Sequence, residues 1–193
     1  DYPIYTPQHG YSEQAPADWW TAADASIRRL TAMLPAQGAE VTGIGLCGQM
    51  HGLVALDEAN DVIRHSILWN DQRCDAECTM ITDEMGGLDS VIEATNNRLI
   101  TGFTAGKIRW MKGNEPENFA RMSRMLNPKD YLRFRMTGRF TTEVSDASGT
   151  GLFDVAQRRW SEAMVEASGL SMDALPEVVE STASTGRLLP ELA

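Results

Sequence analysis

The run Val41-Thr-Gly-Ile-Gly-Leu-Cys-Gly48 constrains this chain more than any other stretch. It is apolar on both sides of the alternation, β-branched at its start, and interrupted only by glycine. A strand that reads this way is buried on both faces of a sheet, with helices above and below. It leads directly into Gly48-Gln-Met-His-Gly52, where the character changes from apolar to polar. In open α/β sheets ligands gather at the carboxyl ends of strands, so this junction is a candidate site. Its glycines allow close backbone approach, and Gln49 and His51 can hydrogen-bond hydroxyl groups. A tight turn with a solvated histidine is the plainer alternative.

The remaining sequence alternates helical and extended patterns. Tyr2 to Thr6 reads as a short edge strand with Pro3 near its start. A helix follows from Pro16, with Trp19, Ala23, Ile27 and Leu30 on one stripe, and ends at Pro35 and Gly38. Leu53–Leu56 and Val62–Leu68 flank the turn residues 58–61 and read as a hairpin. Helices are expected over 72–85, stopped by Gly86 and Gly87, over 88–97, from Thr104 to about Lys112, from Pro116 to about Arg121, and over 128–136, closed by Gly138. Met125-Leu126 reads as a short buried strand and 140–143 as a strand end. Short helices over 161–167 and 172–175 precede a mixed stretch from Val178 to Leu189. With no internal repeat, this order points to an α/β fold with a partly parallel sheet. A length of 193 residues suits one domain or one lobe of a larger protein.

Three further polar clusters stand out. In Trp69-Asn-Asp-Gln-Arg73 an indole sits beside hydrogen-bonding groups, which suits a polyol; the alternative is Trp69 in the core, with Asn70 or Asp71 capping the next helix. Gly102-Phe-Thr-Ala-Gly-Lys107 matches no phosphate loop and reads as a helix start with Phe103 buried and Lys107 solvated or salt-bridged. Thr142 to Thr150 is rich in hydroxyls and carboxylates and reads as a polar loop. There Asp146 could act as a base, an Asx-turn or hydroxyl network being the alternative.

Composition removes several function classes. Seventeen basic against 27 acidic residues give a net charge of −10, unsuited to nucleic acid, where phosphate contacts dominate affinity. No apolar stretch is long enough for a membrane helix. Three cysteines, Cys47, Cys74 and Cys78, do not read as a disulfide framework and favour a reducing, cytoplasmic setting. Cys74 and Cys78 are better explained as buried small hydrophobes than as metal ligands. His9 and His65 have no evident partners and are expected at the surface.

The clusters together resemble one family, the FGGY-type carbohydrate kinases, and within it the branch acting on D-xylulose. The resemblance rests on Tyr11–Trp20, Gly43–Gly52, Ile67–Cys74, Asn127–Arg133 and Ser145–Thr150, in that order along the chain. It implies a ribonuclease-H-like, actin-like fold in which a first domain binds sugar and a second mainly binds ATP with Mg²⁺. It also implies that Met50 and His51 touch the sugar, with Gln49, Trp69, Asn70 and Asp71 at its pocket and Phe103, Ser145 and Asp146 nearer the cleft. Gly106 stands where the family pattern leads one to expect proline.

Two family features are missing from this stretch. No Asp-x-Gly-Thr hairpin precedes Asp1, and no Gly-Gly-Asp-Asn segment with the proton-accepting aspartate occurs before Ala193. The expectation is therefore that residues 1–193 form a sugar-binding N-terminal domain incomplete at both ends, with no catalytic residue and no metal ligand of its own. The first stretch, from Asp1 to Tyr5, would then be an interior strand, and missing strands would leave an unpaired sheet edge. The partners expected are D-xylulose and ATP, with a homodimer among the possible assemblies. The competing readings are a non-catalytic sugar-binding module and a kinase for another pentulose or polyol.

Overall fold

The computed structural model describes residues 2–35 and 38–193. Asp1, part of the expected opening strand, lies outside them. That strand reduces to one antiparallel bridge, Tyr5 to Glu13. Strand β1 (Glu13–Gln14) pairs antiparallel with β3 (Ser66–Ile67), and β2 (Val54–Leu56) with β4 (Arg124–Leu126). The hairpin around 57–61 forms as the turn residues predict, held by the Leu56–Val62 bridge. Asp57 Oδ1 accepts the amides of Ala59 and Asp61, while Asn60 takes the left-handed conformation at φ 66°. β5 (Thr141–Glu143) runs parallel to β8 (Glu177–Val179), and β6 (Phe153–Asp154) antiparallel to β7 (Arg159–Trp160). Among the described residues the sheet is thus four two-stranded ladders.

The helices follow their local signals. Helix α1 (Pro16–Thr31) starts with Pro16 in its first turn and Asp18 at the positive end of its dipole, and carries Arg28 and Arg29 in its last turn. Helices α2 (Asp75–Glu84), α3 (Leu88–Thr95), α4 (Thr104–Asn114), α5 (Pro116–Arg121) and α8 (Glu162–Ser168) contribute to the main core, and the short α7 (Val144–Ser148) follows β5. Helix α6 (Pro128–Thr137) opens on proline and closes on Gly138, left-handed at φ 68°. None of these helices is long and apolar enough to cross a membrane.

The principal core joins α2, α3, α4 and α8 through Ile81, Val91, Ile108, Met111, Met164 and Val165, all buried. A second cluster gathers Trp19, Val54, Leu56, Leu126 and Tyr131 between α1, the β2–β4 ladder and α6. Cys74 and Cys78 are buried, as small hydrophobes would be. They explain the glycine at 106: a Cβ there would lie 2.5 Å from Cys78 Sγ and 3.0 Å from Cys74 Sγ. A side chain at 106 would push α4 off α2.

Two sequence expectations change. Residues 41–48 form no ladder, and Val41 and Ile44 are exposed, because no described strand pairs with them. Along the stripe of α1 only Trp19 is buried, and Leu30 is 64% exposed. A two-sided sheet or a covered helix would bury these apolar positions; the described residues supply neither cover. His65 is half exposed, as expected at the surface, and there it stacks on Tyr5 with ring centroids 4.5 Å apart.

Candidate functional site

The segment 48–52 crosses the molecule between α4, α6 and α7. At Gly52 a Cβ would lie 2.7 Å from Pro128 Cγ, so glycine is what lets the chain pass the start of α6. Just before it, His51 adopts the left-handed conformation at φ 69°, uncommon for a residue with a Cβ. Several contacts hold it there. Its Nδ1 is 2.6 Å from the Gly149 carbonyl oxygen, and its ring lies 5.0 Å from that of Phe103. Its own carbonyl accepts from Thr104 Oγ1 at 3.0 Å and Lys107 Nζ at 2.9 Å.

Burial lowers the His51 pKa below its ordinary value, outweighing the opposing bond to Gly149, with the nearby Lys107 charge acting in the same direction as burial. The imidazole is therefore neutral near pH 7. A carbonyl oxygen only accepts, so Nδ1 carries the proton and Nε2 is left with a lone pair. Met50 reaches the same place: a Cβ on Gly149 would lie 2.9 Å from Met50 Cε. Helix α7 thus meets the 48–52 segment at Gly149.

The Trp69–Asp71 turn divides its residues. Trp69 is 55% exposed, against expectation for a core indole, and Asn70 is exposed beside it. Both line an open cavity of about 600 Å³ with Gln14, Trp19, Gln49 and Lys129. Gln14 Oε1 accepts from Trp19 Nε1 at 2.9 Å and from Gln49 Nε2 at 3.2 Å, which fixes the Gln49 amide on that wall.

Asp71 is fully buried and faces inward. Its carboxylate accepts from the Ser12 amide at 2.6 Å and from the Arg73 amide and guanidinium. Arg73 also pairs with Glu13 at 2.7 Å and stacks over Tyr11, 3.8 Å from its centroid. Arg64 joins Glu13 to Glu115. This ion-pair hub braces the turn from behind, and neither Asn70 nor Asp71 caps α2.

The 142–150 stretch is ordered rather than a polar loop: Glu143 caps α7 by accepting the amides of Ser145 and Asp146. Ser145 is exposed, whereas Asp146 is only 2% exposed. Neither Asp146 oxygen makes a hydrogen bond, and the nearest cation is Lys129 Nζ at 3.3 Å. Burial, then the nearby Asp130 charge, raise the Asp146 pKa to about 7, against the lowering pull of Lys129. A second open cavity, about 300 Å³, is lined by Gly48, Met50, Lys129, Glu143, Ser145 and Asp146. The two cavities share Cys47, Gly48 and Lys129.

Sequence reading missed some of these residues. Lys107, expected to be solvated or salt-bridged, is neither: it is fully buried, its ammonium met by main-chain carbonyls. Lys129 and Asp130 lay inside the Asn127–Arg133 motif without a role; they are joined at 2.7 Å, and Asp130 also binds Arg133 and Thr142. Gln14 carried no signal beyond its position before α1.

The two cavities present an indole face, the amides of Gln49 and Asn70, and a carboxyl able to donate or accept. Beside them stands an imidazole with a free lone pair. Such mixed hydrogen-bonding groups around an aromatic face, with the charged Lys129 and Glu143 among them, suit a small ligand rich in hydroxyls.

The chain is 42% identical over 192 residues to a xylulose kinase of Bacillus subtilis, covering 100% of this chain and 38% of that protein. It is 43% identical over 190 residues to one of Escherichia coli, covering 98% of this chain and 38% of that protein. The chain therefore spans under two fifths of the length of these curated relatives. Among solved structures, a "xyloylose kinase" from Brucella ovis superposes with a TM-score of 0.93 at 38% identity, covering 99% of this chain and 39% of that one. A xylulose kinase from Rhodospirillum rubrum, 24% identical, shares the fold with a TM-score of 0.94, covering 100% of this chain and 40% of that one. The fold is accordingly the mixed α/β, actin-like one of the sugar kinases. The model of the N-terminal domain of the FGGY family of carbohydrate kinases matches residues 1–193, and the chain belongs to that family.

Proposed function

We propose that residues 1–193 are the sugar-binding part of an ATP-dependent kinase that phosphorylates the 5-hydroxyl of D-xylulose to give D-xylulose 5-phosphate. The observation that carries this reading is the meeting of Met50 and His51 with Gly149 beside two open cavities of mixed lining. The relatives named above are xylulose kinases, which favours xylulose over other polyols.

In this reading Met50 and His51 touch the sugar, and His51 Nε2 accepts a hydroxyl. Gln49, Trp69 and Asn70 form the wall, with the indole against C–H faces. Asp71 acts from behind, by holding the turn on Arg73. Phe103 backs the His51 ring, and Ser145 and Asp146 border the cleft. The proton-accepting aspartate and the nucleotide domain belong to the parent protein outside residues 1–193.

ATP and Mg²⁺ arrive together as substrate. The described residues group no three His, Cys, Asp or Glu side chains fit to hold a metal, and Lys129 occupies the middle of Asp130, Glu143 and Asp146. The reading assigns the cytoplasm as compartment, sugar and nucleotide as partners, no nucleic acid, and a homodimer as one assembly it allows.

The test is a coupled ADP assay of the full-length protein with D-xylulose, D-ribulose, glycerol and gluconate. Preference for D-xylulose, with His51→Ala raising its KM at least tenfold, is the expected result. Equal turnover of all four overturns the substrate assignment. Robust turnover by the 193-residue chain alone overturns the division of labour.

A further inference from the structure

Lys107 is the largest fully buried side chain on α4 and the only lysine among the described residues with no exposure. A buried ammonium is costly unless hydrogen bonds replace its water, and an apolar side chain of equal size would fill the space at lower cost. Its contacts are selective. Nζ donates to two main-chain oxygens, those of His51 and Gly102, and to no carboxylate. Those carbonyls lie on two separate loops, one bearing Met50 and His51, the other bearing Phe103, against which the His51 ring packs. Thr104, at the start of the same helix, donates its hydroxyl to the same His51 carbonyl.

We propose that Lys107 is a positioning residue for sugar binding, tying the 48–52 segment to the 102–103 turn so that His51 keeps its left-handed backbone and fixed ring. This rests on the reading of His51 as a sugar contact. The left-handed backbone explains why a main-chain tie is needed. A residue with a Cβ stays in that region only when its surroundings over-determine it. The Gly149 bond fixes the ring; Lys107 and Thr104 fix the peptide that follows. Burial lowers the Lys107 pKa to about 8, against the raising pull of Cys74 and Asp71, so the ammonium is still mostly charged at pH 7. A cationic donor makes the stronger hydrogen bond to a carbonyl.

The experiment compares Lys107→Met, Lys107→Arg, Thr104→Val and His51→Ala in the full-length protein, measuring kcat and the KM of each substrate. Lys107→Met and Thr104→Val are expected to raise the KM for D-xylulose fivefold or more while leaving the KM for ATP within twofold. Lys107→Arg, which keeps the charge and donors, is expected to recover part of the loss. Thr104→Val preserves shape and decides the matter if Lys107→Met fails to fold. A second readout is the ¹⁵N shift of the His51 imidazole, expected to move from a fixed Nδ1–H tautomer toward a tautomer average in both variants. If His51→Ala raises the KM but Lys107→Met and Thr104→Val change neither KM nor the imidazole shift, the positioning role is overturned. If His51→Ala leaves the KM unchanged, the sugar-contact reading fails instead, and the imidazole shift alone then decides whether Lys107 holds His51.

Discussion

His51 donates its Nδ1 proton to the carbonyl oxygen of Gly149, 2.6 Å away and 98 residues later in the chain. Through this bond the 48–52 segment and helix α7 become one surface. The bond also sets the tautomer, leaving Nε2 as an acceptor on a neutral ring.

Gly149 is closely fitted to that contact. A Cβ there would lie 2.5 Å from His51 Cε1 and 2.6 Å from Nδ1. The backbone φ of −87° suits any residue, so the constraint is space. Gly149→Ala is expected to displace the imidazole, raise the KM for D-xylulose about tenfold in the full-length protein, and cost about 1–3 kcal/mol in stability. Steady-state kinetics and urea unfolding check both, and a wild-type KM would show that the ring's position does not matter to the sugar.

Asp146 makes stability depend on pH in an unusual direction. Its pKa in the folded protein is about 7, above the ordinary 3.8. The folded state therefore keeps a proton that the unfolded state has released, and stability falls as pH rises from about 4 to 7, then stays lowered. Asp146→Asn removes the ionisation while leaving Lys129 its contacts with Asp130 and Glu143. The advantage of the variant over wild type is expected to be already present at pH 5 and to grow by about 2–3 kcal/mol between pH 5 and pH 8. Urea titrations at the two pH values measure it; a variant less stable at pH 8 would mean that the Lys129 pair outweighs the burial cost.

Asp71 is expected to act on stability more than on affinity. It is fully buried against Arg73, so replacing it by asparagine leaves part of a buried cation uncompensated. Breaking such a pair costs about 3–5 kcal/mol, and Glu13 at 2.7 Å from Arg73 places this case at the lower end. Asp71→Asn should lower the urea midpoint strongly. A raised sugar KM with an unchanged midpoint would make Asp71 a direct ligand contact.

Local chemistry explains which features were legible in advance. Pro16, Pro116 and Pro128 begin helices and Gly138 ends one because each acts through its own backbone torsions. The 57–61 turn formed for the same reason. Buried charge was less legible: the sequence offers Asp71 as a pocket or capping residue and Lys107 as solvated or salt-bridged, whereas Asp71 is buried on Arg73 and the Ser12 amide and Lys107 on the carbonyls of His51 and Gly102.

The order of helices and turns, the family, and the five motifs in which the site residues lie are all legible in the chain, since these depend on local torsional preference and residue type. How those motifs meet is set by packing in three dimensions. It turned Trp69 and Asn70 outward and Asp71 inward, buried Lys107 beneath His51, and set Asp146 against Lys129. It also left 41–48 without a ladder, because burial of a strand depends on its neighbours in space and not on its own residues. Pairings across 50 to 100 residues arise from packing and the desolvation of charge, which no local stretch of sequence encodes.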